Sequence, residues 1–399
     1  MSIETLTSAI LHQMPETNKS QRDFFHHHLE LFLSMRGRYT YLNFERYGQK
    51  HEQTYRNHHN SGFDFQKFNL SLILKHTGER RMLAFDPSYI SKSGRHTPGV
   101  GYFWSGCAGR AKWGLELCGF AVVDIEANTA LHYLAAQTLL EQGRSLMDFY
   151  CDLLKQQAPH LLKMSRYLGV DAFFSKKSFV DTAIESGLHI ITRLRDDAVL
   201  HYAPPPKKKG QIGRPKKYGD RFSAQNPDAQ QLAIISENKE QRIYGGIIYV
   251  KSLKRLVKAA IVHELKTDGQ IKSVKVFICT DLEFPPQDIW PWYKSRFQIE
   301  FLYRDAKQHV GLEDTQSRKE EALEYHFNMS LTAVSVAKAA HYLSIEKNAR
   351  GAFSMADIKT QYFNELMVNR IFDVFANCPN ITKNHPAIKT LYNLGKIAA

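Results

Sequence analysis

Apolar positions recur at helical spacing through the first 60 residues, where "SQRDFFHHHLELFLSM" puts Phe25, Leu29, Phe32 and Leu33 on one face. In "GRYTYLNFERYGQKHEQTYRNHHNSG", Thr40 caps a short predicted helix that Gly48 ends, and a second ends near Gly62. The run His26 to His28 is expected on exposed helix surface, because adjacent helical residues point in different directions. From residue 81 the pattern changes. "RMLAF", "LELCGFAVVDI" and "TALHYLAAQT" predict strands, "SLMDFYCDLLKQQ" a helix, "RYLGV" a strand, "SKKSFVDTAIES" a helix and "LHIITRL" a strand. "PPPKKKGQIGRPKKYGDR" has too many prolines and glycines for regular structure and predicts an exposed basic loop. Four further strands follow, in "QLAIISEN", "RIYGGIIYVKSL", "LVKAAIVHEL" and "SVKVFICTD". "WPWYKSRFQIEFLYRDAKQ", residues 290–308, predicts a single helix, and two packing helices follow it in "ALEYHFNMSLTAVSVAKAAHYL" and "SMADIKTQYFNELMVNRIFDVF".

Three strands, helix, strand, helix, strand is the order of a ribonuclease-H-like domain, so the expected class is α/β. The expected division is a helical N-terminal region (1–75), a candidate for DNA binding, the first part of a ribonuclease-H-like core (76–195), a β-rich insertion with the basic loop (196–282), the second part of that core, expected to be catalytic (283–345), and a C-terminal helical region (346–399). Composition supports a globular chain: 43% hydrophobic and 12% aromatic over 399 residues. Lys plus Arg outnumber Asp plus Glu by 53 to 40, which favours a polyanionic partner; nucleic acid leads, although charge alone equally suits an anionic membrane surface. Arg36, Arg38, Arg46, Lys50 and Arg56 around the two short helices could dock on a duplex, or solvate a helical pair. The start lacks a basic stretch followed by an apolar run, and no segment reaches the ~20 apolar residues of a membrane span, so a soluble intracellular protein is expected. Five cysteines at unrelated spacings predict reduced, mostly buried thiols rather than a zinc site.

Candidate chemistry rests on three acids. Asp86 and Asp171 each terminate a predicted strand, and Glu300 lies on the helix that would return against that sheet. Together they could hold two Mg²⁺ ions, or Mn²⁺ in their place, for phosphodiester chemistry, since hard cations take oxygen ligands. Separately each acid has an ordinary use: Asp86 before Pro87 opens turns, Asp171 caps a helix, and Glu300 pairs with Arg304. On a single helix Tyr293, Arg296, Glu300 and Lys307 fall within an arc of roughly 60°.

That Tyr-x2-Arg-x3-Glu-x6-Lys spacing resembles the signature of DDE transposases of the insertion-sequence family named four. "FDPSYISKSG" and "GVDAFFSKKSFV" are similar to that family's first and second acidic motifs; the resemblance covers about residues 80–340. Two departures are Phe297, where members often have Trp, and "CTDLEF" in place of the commoner Thr-Asn-Leu run; Trp290 and Trp292 are available for stacking or for core packing. The resemblance implies that Asp86, Asp171 and Glu300 are catalytic metal ligands, and that Tyr293, Arg296 and Lys307, with Arg304 beside them, lie against DNA phosphates. It further implies end cleavage and strand transfer of an element, double-stranded DNA partners (terminal inverted repeats and target), a homodimer on DNA and a prokaryotic, nucleoid-associated cytoplasmic location. The basic loop is similar to a minor-groove hook built from Lys207, Lys208, Lys209, Arg214, Lys216 and Lys217, with a solvated linker as the plain alternative. A nuclease without strand transfer and a non-catalytic DNA-binding regulator are the rival functions.

Overall fold

The computed structural model describes residues 2–206, 216–345, 349, 351–374, 388 and 392. Five helices open the chain: α1 (Ile3–Leu11), α2 (Lys19–Ser34), α3 (Tyr41–Tyr47), α4 (Glu52–Ser61) and α5 (Phe65–His76). Their ends follow local chemistry. Asn18 and Gln21 close a capping box on α2, Thr40 caps α3, and Gly48 and Gly62 end α3 and α4 as expected. Phe25, Leu29, Phe32 and Leu33 are all buried. The histidine run differs from expectation: His28 is fully buried among Phe24, Phe32, Phe44, Tyr55, His59 and Tyr325, because α2 is covered by its neighbours on more than one face. His26 and His27 are half-buried and hydrogen-bond Thr7 and Tyr55.

The sheet starts with β1 (Arg81–Ser91), β2 (Gly101–Ser105), β3 (Arg110–Asp124) and β4 (Thr129–Gln137); α6 (Leu146–Leu161), β5 (Tyr167–Gly169), α7 (Lys177–Glu185) and β6 (His189–Arg193) follow. In space the core strands run β4-β3-β1-β5-β6, with β1 antiparallel to β3 and parallel to β5, and β5 parallel to β6. Strand β2 was not anticipated; it pairs with the start of β3 and forms a hairpin with it. β1 also outruns its predicted end, continuing through Pro87 to Ser91. Asp86 therefore lies within a strand. β5 pairs only with Leu83 and Ala84, so beyond them one side of β1 has no strand neighbour, which is where a strand proline is tolerated.

Strands β7 (Leu200–Tyr202), β8 (Arg221–Phe222), β9 (Ala233–Glu237), β10 (Gln241–Val250), β11 (Arg255–Leu265) and β12 (Ile271–Cys279) extend the same sheet. β12 lies antiparallel against β6, from Phe277 opposite Arg193 to Cys279 opposite Ile191.

The expected single helix over 290–308 is two: α8 (Pro286–Ser295) and α9 (Gln298–His309). At the joint the amides of Arg296, Phe297, Ile299 and Glu300 bond to carbonyls three residues back, an overwound turn that breaks the helical phase. The long α10 (Glu320–Ser344) is buried on all sides and covers β4. Its Asn328 donates to the Ala135 carbonyl and accepts from the Ala135 amide, both at 2.9 Å, and Ser335 accepts from the His132 amide at 2.8 Å. A bulge in β4 and its unpaired outer edge thus find partners. Finally α11 (Met355–Val374) packs on α2, where buried Lys359 donates to the Phe32 and Met35 carbonyls at the end of α2 and lies 2.5 Å from the Tyr39 hydroxyl. Tyr39 in turn donates to the His309 carbonyl that ends α9. One hydrophobic core joins the N-terminal helices, the sheet and α8 to α10. Cys118, Cys151 and Cys279 are buried free thiols, Cys107 is exposed, and Cys378 lies outside the described residues. Among the described residues no helix is long and apolar enough to cross a membrane.

Candidate active site

Asp86 sits opposite Gly119 of β3, and the glycine is required there: a Cβ would fall 2.0 Å from the Tyr303 hydroxyl. Without that Cβ, α9 comes close enough for Tyr303 to donate to the Asp86 carbonyl at 2.6 Å. The sheet and α9 are thereby locked together at the acid itself. Burial pushes the Asp86 carboxyl up to about 7; the Arg296 cation opposes this, while Asp171, Glu300 and Glu116 add to it as negative neighbours.

Arg296 lies at the joint between α8 and α9, 4% exposed. Its Nη2 donates to Glu300 Oε1 at 2.9 Å, and its Nη1 stands 3.8 Å from Asp86 Oδ1. The overwound turn makes this bridge by setting Arg296 just before α9, four residues ahead of Glu300 in its first turn. Arg296 Nε and Nη1 are buried and lack a hydrogen-bond acceptor. Asp171 follows β5, where its Oδ1 accepts from the Phe173 amide at 2.9 Å and its carbonyl accepts from the Thr192 hydroxyl. Three chain segments therefore meet in one electrostatic group. Among the described residues no three Asp, Glu, His or Cys side chains are grouped closely enough to hold a metal ion as they lie, and Glu300 spends its carboxylate on Arg296, not on Arg304. The donor chemistry still suits a hard divalent cation: three carboxylates, one of them carrying a proton affinity raised partly by the other two.

Of the remaining residues of the motif, Tyr293 lies beside Arg296 and Lys307 holds the strand beyond Asp86. Tyr293 is buried against Phe277 of β12, and burial raises its hydroxyl pKa. Lys307 donates to the Tyr89 carbonyl of β1 at 2.7 Å and pairs with Glu313 at 3.0 Å. Arg304 is exposed beside Asp305, over the Phe301 ring. Trp292 is buried against Tyr167 and Phe284. Lys216 and Lys217 are exposed; Lys207, Lys208, Lys209 and Arg214 lie outside the described residues.

Two features escaped the sequence reading. Glu116 on β3 is a buried fourth acid behind Asp86, accepting from the Tyr150 and Thr138 hydroxyls at 2.7 and 2.9 Å; burial raises its pKa. A lone acid inside the apolar run "LELCGF" was the available signal, since such a group needs partners. The other is the β2–β3 hairpin, which carries three exposed aromatic side chains, Tyr102, Trp104 and Trp113.

Residues 143–336 match the family model described as the transposase DDE domain, a span that includes Asp171, Arg296 and Glu300 and begins after Asp86. The match supports a DDE transposase. No curated protein matches the chain. Among solved structures, the chain matches a piggyBac transposase synaptic complex with hairpin DNA, at 12% identity and a TM-score of 0.38, over 81% of this chain and 59% of that one. The chain thus spans less than two thirds of that transposase's length.

Proposed function

We propose that this protein is a DDE transposase of the insertion-sequence-four type, with a ribonuclease-H-like core, cutting the ends of a DNA element and joining them to a target. The observation that carries the reading is the shared electrostatic group of Asp86, Asp171, Arg296 and Glu300, assembled from segments more than 200 residues apart in sequence. The strand order β4-β3-β1-β5-β6 supports the core assignment.

Asp86, Asp171 and Glu300 would hold the divalent ions, Mg²⁺ by their hardness, which supply Lewis-acid stabilisation of the phosphoryl oxygens and a more acidic attacking water or hydroxyl. Arg296 has two donors beside the acids with no hydrogen-bond acceptor, Nε and the Nη1 that only ion-pairs with Asp86; both suit a phosphate oxygen, and its planar fork orients what it binds. Tyr293, Lys307 and Arg304 would align the end's backbone. Terminal repeats, target DNA and a dimer on DNA complete the proposal.

Incubating the protein with Mg²⁺ and DNA bearing the element's inverted repeats tests it. Joined products are expected. Cleavage without joining would instead favour a nuclease, and binding alone a regulator. Retained cleavage in Asp86→Asn, Asp171→Asn and Glu300→Gln would overturn the site.

A further inference from the structure

We propose that the β2–β3 hairpin is a stacking platform for unpaired bases of DNA entering the site; this rests on the transposase reading and names the form of DNA its centre receives. Tyr102 and Trp104 are 73% and 65% exposed, and Trp113 38% exposed, whereas their strand neighbour Phe103 is buried. Soluble chains seldom leave three large rings together in water without a partner. The rings form one surface: Tyr102 pairs in register with Trp113, their rings 5.3 Å apart, and Trp104 pairs with Ala111.

That surface faces the same way as Asp86. Between Asp86 opposite Gly119 and Ser91 opposite Gly114 the β1–β3 register has no shift, so residues 119, 117, 115 and 113 share a face by the period of two. Register then puts Tyr102 and Trp104 on the face of Trp113. Six residues separate Gly119 from Trp113, about 20 Å of strand or roughly six nucleotides of spacing. The connection is rigid, because Tyr89 of β1 donates to the Trp113 carbonyl at 2.6 Å while its own carbonyl accepts from Lys307.

Charge selects the partner. From Pro87 to Leu115 there is no acid, while Arg95, Arg110 and Lys112 are exposed. A stretch of hairpin whose charged side chains are all positive, Arg110 and Lys112 alternating with the rings along β3, suits a nucleic acid: the cations attract phosphates from the opposite face and edge, and the rings offer π-faces that any unpaired base can cover. Paired bases inside a duplex present no such face.

The test measures binding at fixed salt of a mixed-sequence duplex of about 20 base pairs, blunt or with a single-stranded tail of about six nucleotides. The tail is expected to tighten binding roughly tenfold, with quenching of tryptophan fluorescence. Tyr102→Ala with Trp104→Ala should abolish that gain, and Tyr102→Phe with Trp104→Phe should keep it. Cys107, exposed at the hairpin tip, should exchange with a thiopyridyl disulfide carried on the tail, releasing thiopyridone, but not with the same group on a blunt duplex, and Cys107→Ser should not react. Equal binding of tailed and blunt DNA would overturn the proposal, as would an alanine variant that keeps the gain or one that loses self-association while binding DNA unchanged. Each readout is binding without cleavage, so loss of the catalytic assignment would leave it standing.

Discussion

Arg296 concentrates the chemistry of the site in one side chain. It neutralises Asp86 and Glu300 from a buried position, and a lysine there would supply the charge without the fork. Arg296→Lys should therefore lower end cleavage at least about tenfold in a single-turnover assay while the protein stays folded. Gly119 is the second pressure point. Gly119→Ala forces the Tyr303 ring away from the sheet and should cost about 1–3 kcal/mol in denaturant unfolding. Adding Tyr303→Phe removes the oxygen that clashes and should recover part of that loss, a coupling that a double-mutant cycle reads directly.

The helices carry a pH dependence. His28 and His59 are held well below their ordinary pKa by burial, with repulsion from neighbouring histidines adding to it, and burial brings His132 and His326 to about 4. The unfolded chain takes up these protons near 6.5, whereas the folded chain resists until about 4. Unfolded protein thus binds more protons in that window. The stability these histidines contribute should be complete above pH 6.5 and be lost steadily toward pH 4, seen as a thermal midpoint that drops less steeply in His28→Phe. Asn328→Leu tests the tie between α10 and β4: it strands the Ala135 amide and carbonyl and should cost about 2–4 kcal/mol. Elements of this kind were unevenly legible. Caps and periodicity marked α3, α4 and most core strands, because those signals are local. The histidine triplet misled, since burial of His28 depends on α4 and α10, which come from distant sequence. The joint at Arg296 was hidden because an overwound turn keeps helix-forming residues; only its hydrogen bonds differ. The short strand β2, flanked by glycines, resembled a loop until its partner was known.

At the scale of the molecule, the net charge of +13 should make DNA binding steeply salt-dependent. Neutralising Lys207, Lys208, Lys209, Lys216 and Lys217 together should flatten the plot of log affinity against log salt by up to about 0.9 per lost phosphate contact; an unchanged slope would mean the loop stays off the backbone. The motif's helical spacing already set Arg296 and Glu300 on one face, and the structure pairs them, with Asp86 3.8 Å from the same guanidinium; the break between α8 and α9 at Arg296 was not legible in it. The junction of β6 with β12 has a practical outcome for anyone trimming the protein. Splicing Arg195 directly to Glu283 would not release a tidy smaller enzyme, because His189–Arg193 would lose its neighbour and offer bare amides and carbonyls to the next molecule. Such a shortened chain should come out of the cell as precipitate.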